Sequence, residues 1–343
     1  MDGNNLKMMD LSNNQLQGKI PRSLVNCTKL EYLHLGNNQI IDIFPSWLGT
    51  LRELKILILK SNRIHGVITE PEVNFEFPKL QVIDLSHNLF TGELPTKHFQ
   101  SWNAMKVVNG SHLSYMHDEI QPDGFYVRYA SYDISNYAYS MTISNKGIEL
   151  NYGKIPNIFT SIVLSGNKFV GEIPSSIASL RGLNNLNLSH NNLEGHIPSS
   201  LGSLTALESL DLSSNILSGN IPQLLAEIIF LTVFNVSYNH LTGLIPQGNQ
   251  FDTFDNSSYR GNPRLCGKPL SKNCETYKPS KKEDEDSESP FAFDWKIVLI
   301  GFSSGLIVGV VLGQEFYTRK HEWLMKIFGM QSMKRKRGRK NLM

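Results

Sequence analysis

The chain of 343 residues is poor in cysteine, has no excess of charge of either sign, and contains none of the short motifs that mark common enzymes. Three cysteines are too few for a fold built on disulfides, and a formal net charge of +2 does not favour binding to nucleic acid. The sequence has no Walker loop, no Gly-x-Ser-x-Gly turn, no His-Glu-x-x-His helix and no kinase signature. We therefore expect no catalytic residues, no cofactor and no metal site.

The start of the chain also lacks the apolar core of a secretory signal peptide. Its first residues are polar, and a repeat already begins at Leu6. A solenoid without its capping end would open the core of its first coil to water. We therefore expect that further repeats and a signal peptide precede this chain in the intact protein.

One pattern, Leu-x-x-Leu-x-Leu-x-x-Asn-x-Leu-x-Gly-x-Ile-Pro, occurs eight times, and a clear copy runs from Leu183 to Pro198. Each unit exposes apolar side chains that only a similar neighbour covers, so a fixed period predicts a solenoid. We predict a leucine-rich-repeat solenoid of α/β type, with a parallel β ribbon on one face and an irregular or 3-10 helical convex side. The periods begin at Leu6, Leu30, Leu54, Leu80, Phe159, Leu183, Leu207 and Leu231.

The leucines and the asparagine of each unit have predicted structural roles. The leucines point inward, and the residues between them are expected to point to solvent. An Asn side chain satisfies both the amide and the carbonyl groups of the turn after the strand, which predicts a ladder of stacked asparagines. The second repeat has Asp42 where Gly is usual, so an irregular turn is expected there. The ladder members are Asn14, Asn38, Asn62, Asn88, Asn167, Asn191, Asn215 and Asn239.

Residues 105–158 interrupt the repeats and are rich in tyrosine; we call them the island. Connections of this length are usually functional or disordered, and the aromatic composition argues against disorder. Two interpretations stand side by side. The island contacts a ligand through rigid aromatic faces, or it folds over the solenoid as a flap and binds nothing. The candidate contact residues are Tyr126, Tyr129, Tyr132, Tyr137, Tyr139 and Lys146.

Cysteines and glycosylation sequons point to an oxidising compartment. Cys266 and Cys274 lie close together after the last repeat, where a solenoid needs an end cap, and a disulfide there is expected. Because Asn187 and Asn235 occupy the same strand position, glycans on them would obstruct part of the ribbon. We therefore expect contacts in this region to come from the island and the lateral edge. The sequons stand at Asn26, Asn109, Asn187, Asn235 and Asn256.

An apolar segment near the end of the chain predicts one transmembrane helix at residues 295–317. It contains 17 uncharged residues from Ile297 to Gly313, roughly 26 Å of helix. An acidic segment precedes it and a basic tail follows, which predicts a type I protein of the plasma membrane with its tail on anionic cytosolic lipids. A face for pairing with another transmembrane helix is predicted from glycines that recur every four residues, namely Gly301, Gly305, Gly309 and Gly313.

The predicted organisation has seven segments. They are leucine-rich repeats at 1–104, the island at 105–158, four further repeats at 159–254, a C-terminal cap at 255–276, an acidic juxtamembrane segment at 277–294, the transmembrane helix at 295–317 and the cytoplasmic tail at 318–343.

Several runs resemble the C-terminal portion of plant leucine-rich-repeat receptor-like proteins, the class of the tomato receptors for resistance to Cladosporium and Verticillium. They are Tyr139-Ser-Met-Thr-Ile-Ser-Asn-Lys146-Gly147, then Phe159-Thr-Ser-Ile with four repeats, and Gly261-Asn-Pro-Arg-Leu-Cys266-Gly267 with Cys274. The acidic segment before the membrane is similar too. The resemblance covers essentially the whole chain.

The resemblance implies a receptor without a kinase domain that recognises an extracellular protein, peptide or glycan in plant defence. Signalling would then pass through an adaptor receptor-like kinase at the glycine face and a co-receptor kinase with a short repeat ectodomain. A developmental peptide receptor of the same architecture is an alternative. A polygalacturonase-inhibitor-like binding protein, which has these repeats but no membrane span, is another.

Overall fold

The structure is a computed structural model that describes residues 5–70, 76–108, 114–116, 138–274 and 320. The chain divides into two units, Met1–Tyr277 and Lys278–Met343, and in the second unit only Lys320 is described. The acidic segment, the predicted transmembrane helix with its predicted glycine face, and the rest of the predicted tail lie outside the described residues. Within the described ranges, no helix is long and apolar enough to cross a bilayer.

The described secondary structure consists of short strands, one α-helix and several 3-10 helices. The strands are β1 (Met8–Asp10), β2 (Gln17–Gly18), β3 (Tyr32–His34), β4 (Gln39–Ile40), β5 (Ile56–Ile58), β6 (His65–Val67), β7 (Val82–Asp84), β8 (Leu89–Gly92), β9 (Met141–Asn145), β10 (Ile148–Tyr152), β11 (Ser161–Val163), β12 (Lys168–Glu172), β13 (Asn185–Asn187), β14 (Asn192–Glu194), β15 (Ser209–Asp211), β16 (Ser218–Asn220), β17 (Val233–Asn235), β18 (His240–Leu244) and β19 (Arg264–Cys266). The α-helix is α1 (Thr96–Ser101), and the 3-10 helices are Arg22–Asn26, Ser46–Thr50, Asn103–Met105, Ser175–Ser179, Ser199–Ser203, Gln223–Glu227, Asn249–Thr253 and Asn256–Tyr259.

Eight parallel strands form the ribbon of the solenoid, in the order β1-β3-β5-β7-β11-β13-β15-β17. Each strand begins two residues after the first residue of a predicted period, so consecutive coils pair in register. Leu33 lies opposite Leu57, and Leu186 lies opposite Leu210. The middle residue of each strand points into the core, and the first and third residues face outward. We call these outward positions the ribbon face.

Behind the ribbon, the leucines of successive coils form one continuous core. In the second coil, Leu30, Leu33 and Leu35 are each at most 3% exposed, and the corresponding residues of the later coils are buried as well. Burying one such side chain contributes roughly 1.5–3 kcal/mol. In the first coil, by contrast, Leu11 and Leu16 are 42% and 40% exposed. The stability of each coil therefore depends on having neighbours on both sides.

The predicted asparagine ladder is present. Oδ1 of Asn62 accepts a hydrogen bond from the Ile40 amide at 3.0 Å, and its Nδ2 donates to the carbonyls of Leu35 and Leu59 at 3.0 Å each. Each such side chain ties its own coil to the preceding one and satisfies buried backbone groups. The same pattern recurs at Asn38, Asn88, Asn167, Asn191, Asn215 and Asn239, and it continues into the cap at Asn262.

A second set of short parallel strands follows the ladder asparagines, and the Gly of Gly-x-Ile-Pro lies in these strands or directly after them. This position needs a left-handed backbone; Gly195 has φ of 75°, for example. In the second repeat, Asp42 holds the turn with its side chain instead. Its Oδ2 accepts a hydrogen bond from the Ile20 amide at 3.0 Å, and its Oδ1 accepts one from the Ile43 amide at 2.9 Å.

The island interrupts the sequence but not the stack of coils. Strand β7 pairs directly with β11, so that Val82 lies opposite Ser161. The ladder also continues across the insertion, because Oδ1 of Asn167 accepts a hydrogen bond from the Phe90 amide at 3.1 Å. The island therefore leaves one coil and returns at the next without displacing either.

Aromatic side chains and a disulfide close the far end of the core. The rings of Phe234 and Phe251 lie 4.8 Å apart between centroids, and Phe254 and Tyr259 pack against Phe234. Strand β19 pairs parallel with β18 and so extends the second set of short strands. A disulfide joins Cys266 of β19 to Cys274.

Candidate functional site

The island folds back on the ribbon face as a β-hairpin. Strands β9 and β10 pair antiparallel and are joined by Lys146 and Gly147. These two residues have φ of 55° and 75°, the left-handed pair that suits a two-residue turn between right-twisted strands. We call residues 141–152 the island hairpin.

A second apolar core lies between the island and the ribbon face, separate from the leucine core. The rings of Tyr32 and Tyr139 lie 5.5 Å apart between centroids, and the Tyr32 hydroxyl donates to the Ser140 carbonyl at 2.8 Å. The ribbon supplies Tyr32, Ile56, Ile58, Val82 and Val163, and the island supplies Met116, Tyr139, Met141, Ile143 and Ile155. Each of these side chains is at most 3% exposed, so the island and the ribbon exclude water from one another.

A buried cation fastens the island hairpin to the ribbon. Lys60 is 6% exposed, and its Nζ donates to the Thr142 carbonyl at 3.0 Å and to Oε2 of Glu149 at 2.9 Å. Burying an ammonium group is costly unless it is paired and hydrogen-bonded. Both partners of Lys60 belong to the hairpin, so the docked hairpin offsets the cost of burying it.

Asp84, the third residue of β7, is fully buried beneath the hairpin. Burial raises the pKa of its carboxyl above the ordinary 3.8, while hydrogen bonds from Ser86 and the charge of Lys60 oppose that increase. Its Oδ1 accepts a hydrogen bond from the Ser86 amide at 2.9 Å. Among the described residues, none donates to its Oδ2. The covered face therefore contains an acid whose charged form is disfavoured.

The tip of the hairpin reaches further along the ribbon. Nδ2 of Asn185 donates to the Ser144 carbonyl at 2.9 Å. At the turn, the Lys146 amide donates to Oγ of Ser209 at 3.2 Å, and Nζ of Lys146 lies 3.0 Å from Oε2 of Glu208. The contacts of the hairpin and its flanking residues thus extend from β3 to β15.

Beyond the hairpin the ribbon face is polar and partly open. Asp211 of β15 and Val233 and Asn235 of β17 are half-buried. Oδ1 of Asp211 and Oδ1 of Asn235 each accept a hydrogen bond from the backbone two residues further on, at 3.0 and 3.1 Å. These side chains are held by the turn after the strand, and they keep a surface towards solvent.

An exposed apolar surface lies at the edge where the last strands begin. Ile229 and Phe230 are 57% and 58% exposed. They border a hollow of about 480 Å³ that is also lined by Val107, Val108 and Ile158, which belong to the two ends of the island. Exposed apolar patches of this kind are typical of contact surfaces.

Two of the predicted island contact residues, Tyr139 and Lys146, are described by the structure, and their surroundings differ. Tyr139 is fully buried in the second core, so it has no surface open to a ligand, and Lys146 forms the hairpin turn. The described part of the island packs over the ribbon face. The other candidates, Tyr126, Tyr129, Tyr132 and Tyr137, lie outside the described residues.

The predicted sequons differ in exposure. Asn26 and Asn256 are exposed, Asn235 is half-buried, and Asn187 is only 6% exposed beneath the hairpin. Asn109 lies outside the described residues. The glycosylation predictions therefore concern sites with very different surroundings.

The expectation that residues between the leucines point to solvent is wrong beneath the hairpin. Ile56, Ile58 and Val82 occupy such positions and are fully buried. The sequence did contain a signal for this, because each of coils two to five carries at least one apolar or aromatic residue on the ribbon face, whereas most of the later positions are Asn, Ser or Asp. Lys60 and Asp84 had no comparable signal, since charged residues are common on an exposed face.

Comparisons with known proteins agree with this architecture. A family model described as leucine rich repeat matches residues 29–90 and 159–217, and one described as two copies of leucine rich repeats matches residues 4–48. Receptor-like protein 34 of Arabidopsis thaliana is 46% identical over 345 residues, which cover 97% of this chain and 34% of that protein. Receptor-like protein 43 of the same plant is 45% identical over 340 residues, covering 96% of this chain and 45% of that protein.

A solved structure shares the fold as well. The repeat ectodomain of the Arabidopsis thaliana membrane receptor kinase GASSHO1/SCHENGEN3, in complex with Casparian strip integrity factor 2, is 26% identical with a TM-score of 0.52. The match covers 78% of this chain and 31% of that one. This chain thus spans between a third and a half of the length of the two receptor-like proteins it was compared with.

Proposed function

Because this chain belongs to the leucine-rich-repeat receptor-like proteins of plants, we propose that it forms part of a cell-surface receptor without a kinase domain, which recognises an extracellular ligand in plant defence. The single observation that carries the proposal is the 46% identity to Receptor-like protein 34 over 97% of the chain. The solenoid fold supports it, since repeats of this kind build extended recognition surfaces.

The ligand is a protein, a peptide or a glycan outside the cell. The hairpin contacts the ribbon face from β3 to β15, so recognition uses the surfaces that stay open: the ribbon at Asp211 of β15 and at β17, the island and the lateral edge. The complex of the GASSHO1/SCHENGEN3 ectodomain with Casparian strip integrity factor 2 supports a peptide or protein as the first class to test.

Residues 295–317 anchor the protein in the plasma membrane as a transmembrane helix. The repeats lie outside the cell, and residues 318–343 lie in the cytosol. The support is in the sequence, where an acidic segment lies on one side of the apolar run and basic residues follow on the other. The tail contacts anionic lipid headgroups.

Signalling passes through an adaptor receptor-like kinase at Gly301, Gly305, Gly309 and Gly313. Small residues let a second helix approach closely, and the gain comes from van der Waals contact. A co-receptor kinase with a short repeat ectodomain contacts the exposed edge at Ile229 and Phe230, whose apolar surface supports an interface there.

Coprecipitation of the full chain with adaptor kinases from plant membranes tests the proposal. We expect Gly305→Leu with Gly309→Leu to reduce kinase recovery by about tenfold, a loss of about 1.4 kcal/mol in association. The control is Ser303→Leu, which places a leucine about 200° around the helix from Gly305. Equal recovery with the glycine variant and the control would contradict kinase pairing at this face.

Two alternatives have the same repeat architecture. One is a developmental peptide receptor, and induction of expression by developmental stage and not by pathogens would select it. A polygalacturonase-inhibitor-like binding protein is favoured by the repeats alone. Release of the chain from membranes by alkaline carbonate would select that alternative.

A further inference from the structure

Two sequons of this chain occupy the same position in the repeat. Asn187 is the third residue of β13 and Asn235 is the third residue of β17, and each is followed two residues later by serine. Oδ1 of Asn187 accepts a hydrogen bond from the Ser189 amide at 3.0 Å, and Oδ1 of Asn235 accepts one from the Ser237 amide at 3.1 Å. The two asparagines therefore make the same hydrogen bond to the local backbone.

Their surroundings differ because only one of them lies under the island hairpin. Asn187 is 6% exposed, and its Nδ2 donates to Oγ of Ser144 at 3.3 Å. Nδ2 is the atom to which an N-linked glycan is attached. Asn235 lies two strands further along the ribbon and is half-buried. The attachment atom thus points at the hairpin in one sequon, and the other sequon lies beyond the hairpin contacts.

A sugar on Asn187 has no room while the hairpin is docked. A contact of 3.3 Å between Nδ2 and Ser144 leaves no space for a bulky ring between them. Nδ2 of the neighbouring Asn185 holds the carbonyl of the same serine at 2.9 Å, so this part of β9 cannot shift without losing both contacts. Lifting the hairpin would also expose the second apolar core and leave Lys60 without its partners.

We propose that modification of Asn187 and docking of the island hairpin exclude one another, so that Asn187 is a modification site that controls whether the ribbon face is covered. Chains without a glycan there have the hairpin docked and the face covered. Chains with one have the hairpin released, and the apolar ribbon positions from β3 to β11 become available for contact. Asn235 accepts a glycan in either state.

The modification itself is a glycosyl transfer from a lipid-linked oligosaccharide diphosphate. A bond forms between the anomeric carbon of the donor and Nδ2 of the asparagine, and the bond from that carbon to the diphosphate oxygen breaks. One amide proton leaves together with the diphosphate. This inference rests on the proposed function, because the lipid-linked donor is present in the secretory pathway, through which an extracellular protein passes.

The first arm of the test measures exclusion without any glycan. Asn187→Cys and Asn235→Cys are introduced separately in the full chain, and the reaction of each new thiol with a polymer-linked maleimide is timed, with the unsubstituted chain correcting for Cys27. We expect the thiol at position 187 to react at least about tenfold more slowly than the one at 235. Ile143→Asp, which releases the hairpin, should remove that difference. Equal rates with the hairpin intact would overturn the proposal.

The second arm measures glycans by mass spectrometry on chains from plant cells. We expect Asn235 to be occupied and Asn187 to be largely empty, with Ile143→Asp increasing occupancy at Asn187 only. Asn187 occupied while the amides of residues 141–152 stay protected from hydrogen exchange would overturn the proposal. If every sequon including Asn26 and Asn256 is empty, the extracellular assignment fails, whereas the exclusion is still decided by the thiol rates.

Discussion

The two halves of the ribbon face use the same strand, but their outward side chains differ in burial. From β3 to β11 the outward positions include Tyr32, Ile56 and Val82, all fully buried beneath the island. At β15 and β17 they include Asp211 and Asn235, both half-buried. The central residues behind them are large, apolar and buried in both halves. The repeat pattern therefore determines the fold of each coil. The outward residues on either side of the central residue determine whether the island packs on that coil.

The covered half also contains ionisable side chains that are buried. Lys60 is buried against the hairpin, and Asp84 is buried next to it with a raised pKa. A shifted hairpin would leave the buried Lys60 without its two partners, so this cation favours one docked position. Substitutions at matched positions can test the difference between the halves, from the largest expected effect to the smallest.

The largest effect is expected from a charge placed on the covered face. Ile56→Asp puts a carboxylate into the second core and should lower the free energy of unfolding by about 3 kcal/mol. Its matched control is Val233→Asp, the same strand position in the open half, for which we expect a change within about 0.5 kcal/mol. Pulse proteolysis of the full chain measures both. Similar losses in the two variants would show that the halves do not differ.

Removal of the buried cation comes next. Lys60→Met keeps most of the side-chain volume but leaves the Thr142 carbonyl and Glu149 without their donor, and we expect a loss of about 2 kcal/mol. The control is Lys146→Met, whose pair with Glu208 is more than a third exposed on both sides and should change stability by less than about 0.5 kcal/mol. If Lys60→Met left the free energy of unfolding unchanged, docking of the hairpin would not depend on this cation.

A third prediction concerns pH. Burial raises the folded-state pKa of Asp84 above 3.8, so the folded protein binds its proton more tightly than the unfolded chain does. The contribution of Asp84 to stability is present below pH 3.8 and is lost as the pH rises through the folded pKa. Asp84→Val should therefore gain stability relative to the unsubstituted chain as the pH is raised from 3.8.

Thermal unfolding of the two proteins across that pH range measures the difference. A constant difference for Asp84→Val would contradict the burial of a titrating acid.

The smallest effect is expected at the hairpin tip. Ser209→Ala removes the acceptor for the Lys146 amide and should weaken docking by about 0.5–1 kcal/mol. Hydrogen exchange at Lys146 should then become a few-fold faster, while that of β17 stays the same. Unchanged exchange at Lys146 would place the tip away from β15.

Much of the solenoid follows from local sequence. The strand positions and the asparagine ladder come from a fixed period, because each coil repeats the same short-range contacts. Asn262 was missed since the cap lacks the full repeat pattern around it, yet its side chain makes the ladder bonds to Leu241 and Val236. The departure at Asp42 was expected to be irregular, and the structure shows two side-chain hydrogen bonds in place of a left-handed glycine.

The island was harder to predict because its contacts are distant in sequence. Tyr139 was chosen as a ligand contact for its rigid face, but that face packs on Tyr32, more than a hundred residues earlier. The apolar residues at Ile56, Ile58 and Val82 could have indicated a cover. Nothing local distinguishes Lys60 or Asp84 from ordinary surface charges, so only the docked hairpin reveals their role.

Hydrogen–deuterium exchange of the full chain tests the covered ribbon face most directly. If the hairpin is docked, the amides of Met141–Asn145 and Ile148–Tyr152 exchange about as slowly as those of β5 and β7, and Ile143→Asp releases the hairpin amides alone. If the unsubstituted hairpin exchanges within seconds while β5 and β7 stay protected, the ribbon face is open to solvent and the docked hairpin is contradicted.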